Sequence, residues 1–350
     1  MPEEYFKPFP LESIQLPLGY REDDLMDLPA EGQRRGPNRY FEHILKQGQW
    51  KQGIQGYLAS IHFADAMLGK VLDALEAGPH VDNTIVVLWS DHGWHLGEKQ
   101  HWQKYTGWRV CTRVPLMVRV PPGTPGLESG TVPGVCEKPV NLLSLFPTLL
   151  VLCGLPAEAQ HDGPSLTPLL GNPQTDWPHC SITYLGDPGS YALSEDRWRL
   201  IHYANGEEEL YDIPADRYEW NNLANDSGQD QVREALRARA PASFVPKPAP
   251  SVASLPQLKW NPLKEETAPP SRPDGNTFDI VLINSTEQPV ALFWMNREGE
   301  PLPYGTIPAG KQKRQQTRPG AVWLIRSEAG EDLGYFRVDD RAARAIVPGE

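Results

Sequence analysis

The chain has 350 residues, 39% of them hydrophobic, which leaves room for two or three packed domains. No apolar run approaches the roughly 18 residues that a membrane-crossing helix needs, and no basic-then-apolar leader opens the chain. A formal net charge of −12 without a clear basic patch argues against nucleic acid as a partner and gives no sign of membrane attachment.

Residues 1–35 are rich in proline and read as loops. Residues 54–77 place Leu58, Ile61, Ala64, Leu68, Val71, Leu72 and Leu75 close to a 3.6-residue period, which predicts an amphipathic helix. A turn at Asp82-Asn83-Thr84 precedes Ile85-Val86-Val87-Leu88-Trp89, a short apolar run without alternation. Such a run is expected for a strand buried on both faces of a parallel α/β sheet. Residues 114–120 are a second strand candidate. Residues 140–154 predict a helix capped by Asn141 or Ser144, with Gly154 just past its end. Residues 181–212 read as several short strands separated by Gly, Asp and Asn turns. Prolines crowd residues 240–273, so the chain is expected to divide into 1–228, a Pro-rich linker at 229–274, and 275–350. Cys111, Cys136, Cys153 and Cys180 have no metal-like spacing; Cys111 with Cys136 is a conceivable pair that spacing alone does not establish.

The chemistry concentrates in Ser90-Asp91-His92-Gly93-Trp94-His95-Leu96-Gly97-Glu98-Lys99-Gln100-His101-Trp102-Gln103-Lys104. Ligands in open α/β sheets bind beyond the carboxyl ends of strands, where Asp91 falls. Its carboxylate is a hard ligand suited to Ca²⁺ or Mg²⁺, and Gly93 is expected to give the tight turn beside it. Lys104 can return to the same place and offset negative charge on an oxyanion. Two alternatives stay open on these residues. Asp91 can be a simple turn former, and His92, His95 and His101 have spacings compatible with zinc.

The stretch SDHGWHLGEKQHWQK resembles the sulfatase family, most closely its iduronate-2-sulfatase-type branch, and PEEYFKPFPLESIQLP, TRVPLMVRVPP and ELYDIPADRYEWNNLAND extend the likeness over residues 2–226. The resemblance implies an α/β, alkaline-phosphatase-like sulfatase fold, here in part only, and a hydrolase acting on sulfuric esters. It implies Asp91 as a ligand of Ca²⁺ and His92 in the adjacent ligand position. It implies Lys104 as the catalytic lysine on the sulfate, with a sulfated small molecule or glycan as substrate. It also suggests a periplasmic or secreted location. His95, Lys99 and His101 are not fixed by the motif and are expected to line the cleft or to be polar loop residues.

The family's nucleophile is a formylglycine made from Cys or Ser in C/S-x-P-x-R. No cysteine or serine here has that context, so the formylglycine is absent from these residues. Asp23-Asp24 resembles a later connecting segment, not the family's metal-binding pair. The chain is therefore expected to be the C-terminal portion of a truncated sulfatase with Met1 an internal start, inactive and poorly stable alone.

From residue 278 onward the chain reads as short strands with turns at Asn284-Ser285, Arg297-Glu298-Gly299, Ala309-Gly310 and Pro319-Gly320, the pattern of a small all-β sandwich. The run Trp294 to Tyr304, Pro308 to Gly310 and Gly320 to Leu324 resembles the β domain of the von Hippel-Lindau family. That resemblance implies a peptide-binding pocket at Trp294, Tyr304, Thr317 and Trp323. Ala321 departs from it, standing where the family has a histidine. The alternative for the aromatic residues is a place in the core. Two functions follow: a sulfatase portion carrying part of the metal and sulfate site, or a non-catalytic protein that binds a peptide or glycan through its β domain.

Overall fold

The computed structural model describes every residue except 128–129, 132, 157–159, 247–250, 264–266 and 350. The chain forms two compact units, Met1–Lys247 and Pro248–Glu350.

In the first unit, helices α1 (Ala30–Gln33) and α2 (Arg39–Lys46) lead into α3 (Trp50–Glu76). Asn38 caps α2 by accepting from the Phe41 amide at 2.9 Å, the usual remedy for an unpaired helical N–H. Strands β1 (Val86–Trp89), β2 (His95–Leu96) and β3 (Trp102–Gln103) follow, then α4 (Arg109–Thr112) and β4 (Leu116–Arg119). Next come α5 (Leu145–Leu152) and α6 (Thr167–Gly171). Of the two expected caps, Asn141 accepts from the Leu143 amide and caps the 3-10 turn Leu142–Ser144 that leads into α5; Ser144 precedes α5 without a side-chain cap bond, and Gly154 takes φ +66° beyond its end.

β1 pairs with β4 in antiparallel register, Val86 opposite Arg119 and Trp89 opposite Leu116. This departs from the parallel, doubly buried strand expected from the apolar run. Among the described residues the pair forms a two-stranded sheet, and Trp89 (49% exposed) and Met117 (57%) remain open to solvent. An unbroken apolar run records how much burial a strand can use, not the direction of its neighbour.

The residues read as short strands form a meander, β5 (Ser181–Tyr184), β6 (Tyr191–Ser194), β7 (Trp198–His202) and β8 (Glu208–Asp212), each antiparallel to the next. Its two faces feed separate apolar clusters. Ala192, Ile201 and Tyr211 pack with Trp108 and Leu28. Leu193, Leu200 and Leu210 pack with Leu236 of α7 (Asp230–Arg237).

The second unit is a β sandwich. One sheet has the order β13 (Gln312–Thr317), β10 (Phe278–Asn284), β16 (Arg344–Val347). The other has the order β12 (Pro301–Ile307), β11 (Val290–Met295), β14 (Val322–Ser327), β15 (Asp332–Arg337), β9 (Trp260–Pro262). Ile280 and Leu282 from the first sheet meet Leu292, Trp323, Ile325 and Phe336 from the second in one core. The other face of β14 is covered as well, because Val322 and Leu324 pack with Ala268 and Met295.

The linker expected over 229–274 therefore needs correction at both ends; residues 247–250 and 264–266 within it lie outside the described part. Residues 230–237 form α7, whose Val232 and Leu236 face the meander. Residues 258–263 and 267–273 belong to the sandwich. Leu258 enters its core, β9 pairs with β15, Ala268 covers the outer face of β14, and Ser271 Oγ accepts from the Val322 amide at 2.8 Å. Gly320, with φ +74°, lies so close to Arg272 O that an added Cβ would stand 2.3 Å from it. Proline content hid this edge because a three-residue strand and a covering strap have no periodicity to detect.

Removing these groups should be costly. Leu324→Ala is expected to destabilise the second unit by about 2–5 kcal/mol in chemical denaturation. A fragment starting at residue 276 should melt well below one starting at 251, and equal melting temperatures would show that the strap contributes nothing.

Candidate active site

Asp91 and His92 leave the end of β1 and Lys104 returns from β3, so a small hairpin brings the three together. Asp91 is open, its side chain 79% exposed. His92 Nδ1 lies 2.8 Å from Gly93 O, and a carbonyl only accepts, so this nitrogen carries the proton. That leaves a lone pair on Nε2. Two groups face it: Asp91 Oδ2 at 3.5 Å and Lys104 Nζ, which donates to it, at 2.9 Å. A carboxylate oxygen and an imidazole lone pair thus point at one place beside an ammonium.

Gly93 serves a different purpose from the one expected. Its amide donates to Cys111 O at 2.7 Å, and an added Cβ would meet Val110 O at 2.1 Å. The glycine permits close approach of α4 to the motif; it does not supply a left-handed turn.

The remaining motif residues neither line a cleft nor sit in solvent. His95 is wholly buried; Nδ1 donates to Glu98 O at 3.0 Å and Nε2 meets the Thr106 hydroxyl at 2.6 Å. Burial pushes its pKa down to about 3, helped by the nearby His101 and Lys99. His101 lies between Arg35 O at 2.6 Å and Lys104 O at 3.1 Å, and burial lowers its pKa despite those carbonyls. The zinc alternative fails on this geometry, since both nitrogens of His95 and His101 are engaged by protein. Among the described residues no group of three or more His, Cys, Asp or Glu could hold a metal ion.

Lys99 is 2% exposed. Its ammonium donates to Asp24 Oδ1 at 2.8 Å and to Glu219 O, and lies 5.8 Å from the Trp108 ring and 5.4 Å from the Tyr211 ring. Glu219 is buried too, pairing with Arg199 Nε at 2.9 Å and accepting from the Arg109 amide at 2.6 Å. Beside it Glu209, fully buried, accepts from Trp108 Nε1 and from the hydroxyls of Tyr203 and Tyr211. These anchors hold a strained loop: Lys99, Gln100, Gln103 and Tyr105 all have positive φ, between 49° and 91°. Each such residue costs about 1–2 kcal/mol, so the loop keeps its shape because buried partners impose it. Sequence reasoning missed Asp24, Arg199, Glu209 and Glu219. The only available signal was charge inside otherwise apolar strands, as in Glu208-Glu209-Leu210-Tyr211.

The second candidate site behaves differently. Trp323 and Thr317 are buried, and the indole Nε1 donates to the Thr317 hydroxyl at 2.9 Å. Trp294 is half-buried against the core, and Ala321 is buried. Tyr304 stays 43% exposed, edge-on to Trp323 with ring centroids 4.9 Å apart.

Burial raises the pKa of Asp24 to about 7, against the pull of Lys99. An acid whose folded pKa lies above its unfolded value of 3.8 stabilises the fold fully below that value and loses this contribution as pH rises through about 7. Lys99→Met removes the opposing cation. It is expected to cost about 3–5 kcal/mol at pH 8 and to extend the pH-dependent loss above pH 7; denaturation curves at pH 5 and pH 8 measure both. Separately, nitrogen NMR of His92 should report the Nδ1–H tautomer.

Two family models match overlapping stretches: sulfatase at residues 20–155 and the C-terminal part of N-sulphoglucosamine sulphohydrolase at 97–243. A third, the VHL beta domain, matches 271–337. A sulfatase of Formosa agariphila is 39% identical over 69% of this chain and 46% of its own length. The mouse iduronate 2-sulfatase is 32% identical over 63% of this chain and 44% of its own. The chain thus spans less than half the length of these relatives. In fold the first unit resembles a phosphonate monoester hydrolase from Silicibacter pomeroyi, with TM-score 0.55, 23% identity, and coverage of 68% of this chain and 52% of that one. Residues 20–243 are therefore a sulfatase-family portion with an alkaline-phosphatase-like fold, and a VHL beta domain follows at 271–337.

Proposed function

We propose that the first unit supplies the cation- and sulfate-binding part of a sulfuric-ester hydrolase site, with Asp91 and His92 toward the cation and Lys104 toward the ester. The carrying observation is that Asp91 Oδ2, at 3.5 Å, and Lys104 Nζ, at 2.9 Å, both approach His92 Nε2. The donor chemistry fits a divalent cation in part. Asp91 offers an exposed hard oxygen and His92 an unprotonated nitrogen, while a Ca²⁺ shell takes about six to eight oxygens, so most ligands must come from beyond these two residues. When bound, such a cation would polarise the sulfate oxygens. Lys104 carries a positive charge on a half-buried stem, suited to offset charge on the ester oxygen as its bond to sulfur breaks. His92 Nε2 cannot serve Lys104 and a cation together, so cation binding competes with the Lys104 contact. The substrate class is a sulfated small molecule or sugar, in keeping with relatives named choline-sulfatase and N-acetylglucosamine-6-O-sulfatase.

The 350 residues contain no C/S-x-P-x-R sequence, hence no precursor of the covalent nucleophile. The purified chain should show no turnover of an aryl sulfate above buffer, and measurable turnover would refute this division of labour. Independently of activity, Ca²⁺ titration should shift the His92 ring nitrogen signals. Asp91→Asn should abolish that shift, and an unchanged response would remove Asp91 from the cation site.

A further inference from the structure

Unit 2 has one flank where both sheets end. β12 closes one sheet with a single partner, β11, and β13 closes the other with a single partner, β10. All six residues from Pro301 to Thr306 are exposed, including Leu302 at 41% and Tyr304 at 43%. Lys313 reaches from β13 to Tyr304 O and ties the two edge strands together.

The charge on this flank runs against the rest of the molecule. The chain carries a net −12, yet residues 301–320 contain no Asp or Glu while supplying Lys311, Lys313, Arg314 and Arg318. Lys311, Arg314 and Arg318 are exposed; among the described residues Arg314 pairs with Asp279 at 3.8 Å, and Lys311 and Arg318 form no ion pair.

An open sheet edge ordinarily invites an extended peptide, but this one is blunted. Pro301 and Pro303 supply no backbone N–H, so β12 cannot offer a regular ladder. The polar edge of Trp323 is already spent on Thr317. What remains is a partly exposed tyrosine on one edge strand and three exposed cations along the other and at its ends. That combination suits a sugar carrying fixed negative charge, with the ring packing on Tyr304 and sulfates meeting guanidinium and ammonium groups.

We propose that this flank of the β domain, Tyr304 with Lys311, Arg314 and Arg318, binds a sulfated polysaccharide. The choice of sulfate as the anion rests on the sulfatase reading of the first unit; the site itself does not. The docked polymer would keep sulfate esters at high local concentration around the chain.

The test uses the full chain and heparin oligosaccharides of defined length, with desulfated heparin and poly-glutamate peptide as controls. Affinity is measured by calorimetry at several salt concentrations. The triple variant K311Q/R314Q/R318Q should weaken heparin binding at least tenfold and flatten its salt dependence. Tyr304→Ala should weaken it severalfold, and Lys104→Ala should leave it within twofold. All substituted side chains of unit 2 are exposed, and an unchanged thermal transition verifies its fold. Loss of binding on Lys104→Ala alone, or no change in the triple variant, overturns the proposal and leaves the first-unit site as the sole anion binder. Equal binding of poly-glutamate or desulfated heparin overturns it in favour of generic anion capture. Failure of the aryl sulfate or Ca²⁺ predictions would leave these binding results intact.

Discussion

One buried ammonium governs the geometry of the first unit. Lys99 has left water entirely, and the stabilisation of its charge comes from Asp24, the Glu219 carbonyl and two aromatic faces. Those partners lie 75 and 120 residues away in sequence, so the ammonium joins the early loop, the motif hairpin and the segment after β8. A charge in that position is costly unless paired, so the loop conformation that keeps these partners is favoured. The positive φ values from Lys99 to Tyr105 follow from it, and so does the position of Lys104 against His92.

A second constraint is carboxylate burial beneath that hairpin. Glu209 satisfies its oxygens with three donors, and Glu219 accepts from the Arg109 amide and forms an ion pair with Arg199. The meander β5–β8 is thus more than a stack of apolar strands. It holds acceptors at fixed height, and Trp108, Tyr203, Tyr211 and Arg199 are oriented by them. Polar satisfaction of this kind gives the motif loop one shape, where an apolar contact would tolerate several.

The second unit solves a simpler problem. β14 runs through the middle of its sheet with four consecutive buried residues, Val322 to Ile325, so both of its faces must be covered. The sandwich core covers one, and Leu263 and Ala268 help to cover the other. The flank left over, at β12 and β13, carries cations on strands that have no carboxylate of their own.

Much of this protein was legible in its residues alone. The long helix, the meander, the Asn141 cap and the β sandwich follow from periodicity and turn chemistry, which act over a few neighbours. The resemblance carried by Asp91 to Lys104 and the segments around it pointed to the sulfatase family, where residue types and spacing alone left a turn or a zinc site open. The tertiary structure decided what depends on distant partners. It turned β1 and β4 antiparallel, since an apolar run does not encode its neighbour's direction. It buried His95, Lys99 and His101, whose polar side chains read as solvent or cleft residues until Asp24, Thr106 and Glu219 are placed beside them. It assigned Gly93 to helix contact and not to a turn. It took a proline-rich stretch with no period and made it part of two folded units, because a single hydrogen bond from Val322 to Ser271 and one buried Ala268 leave no mark on local sequence.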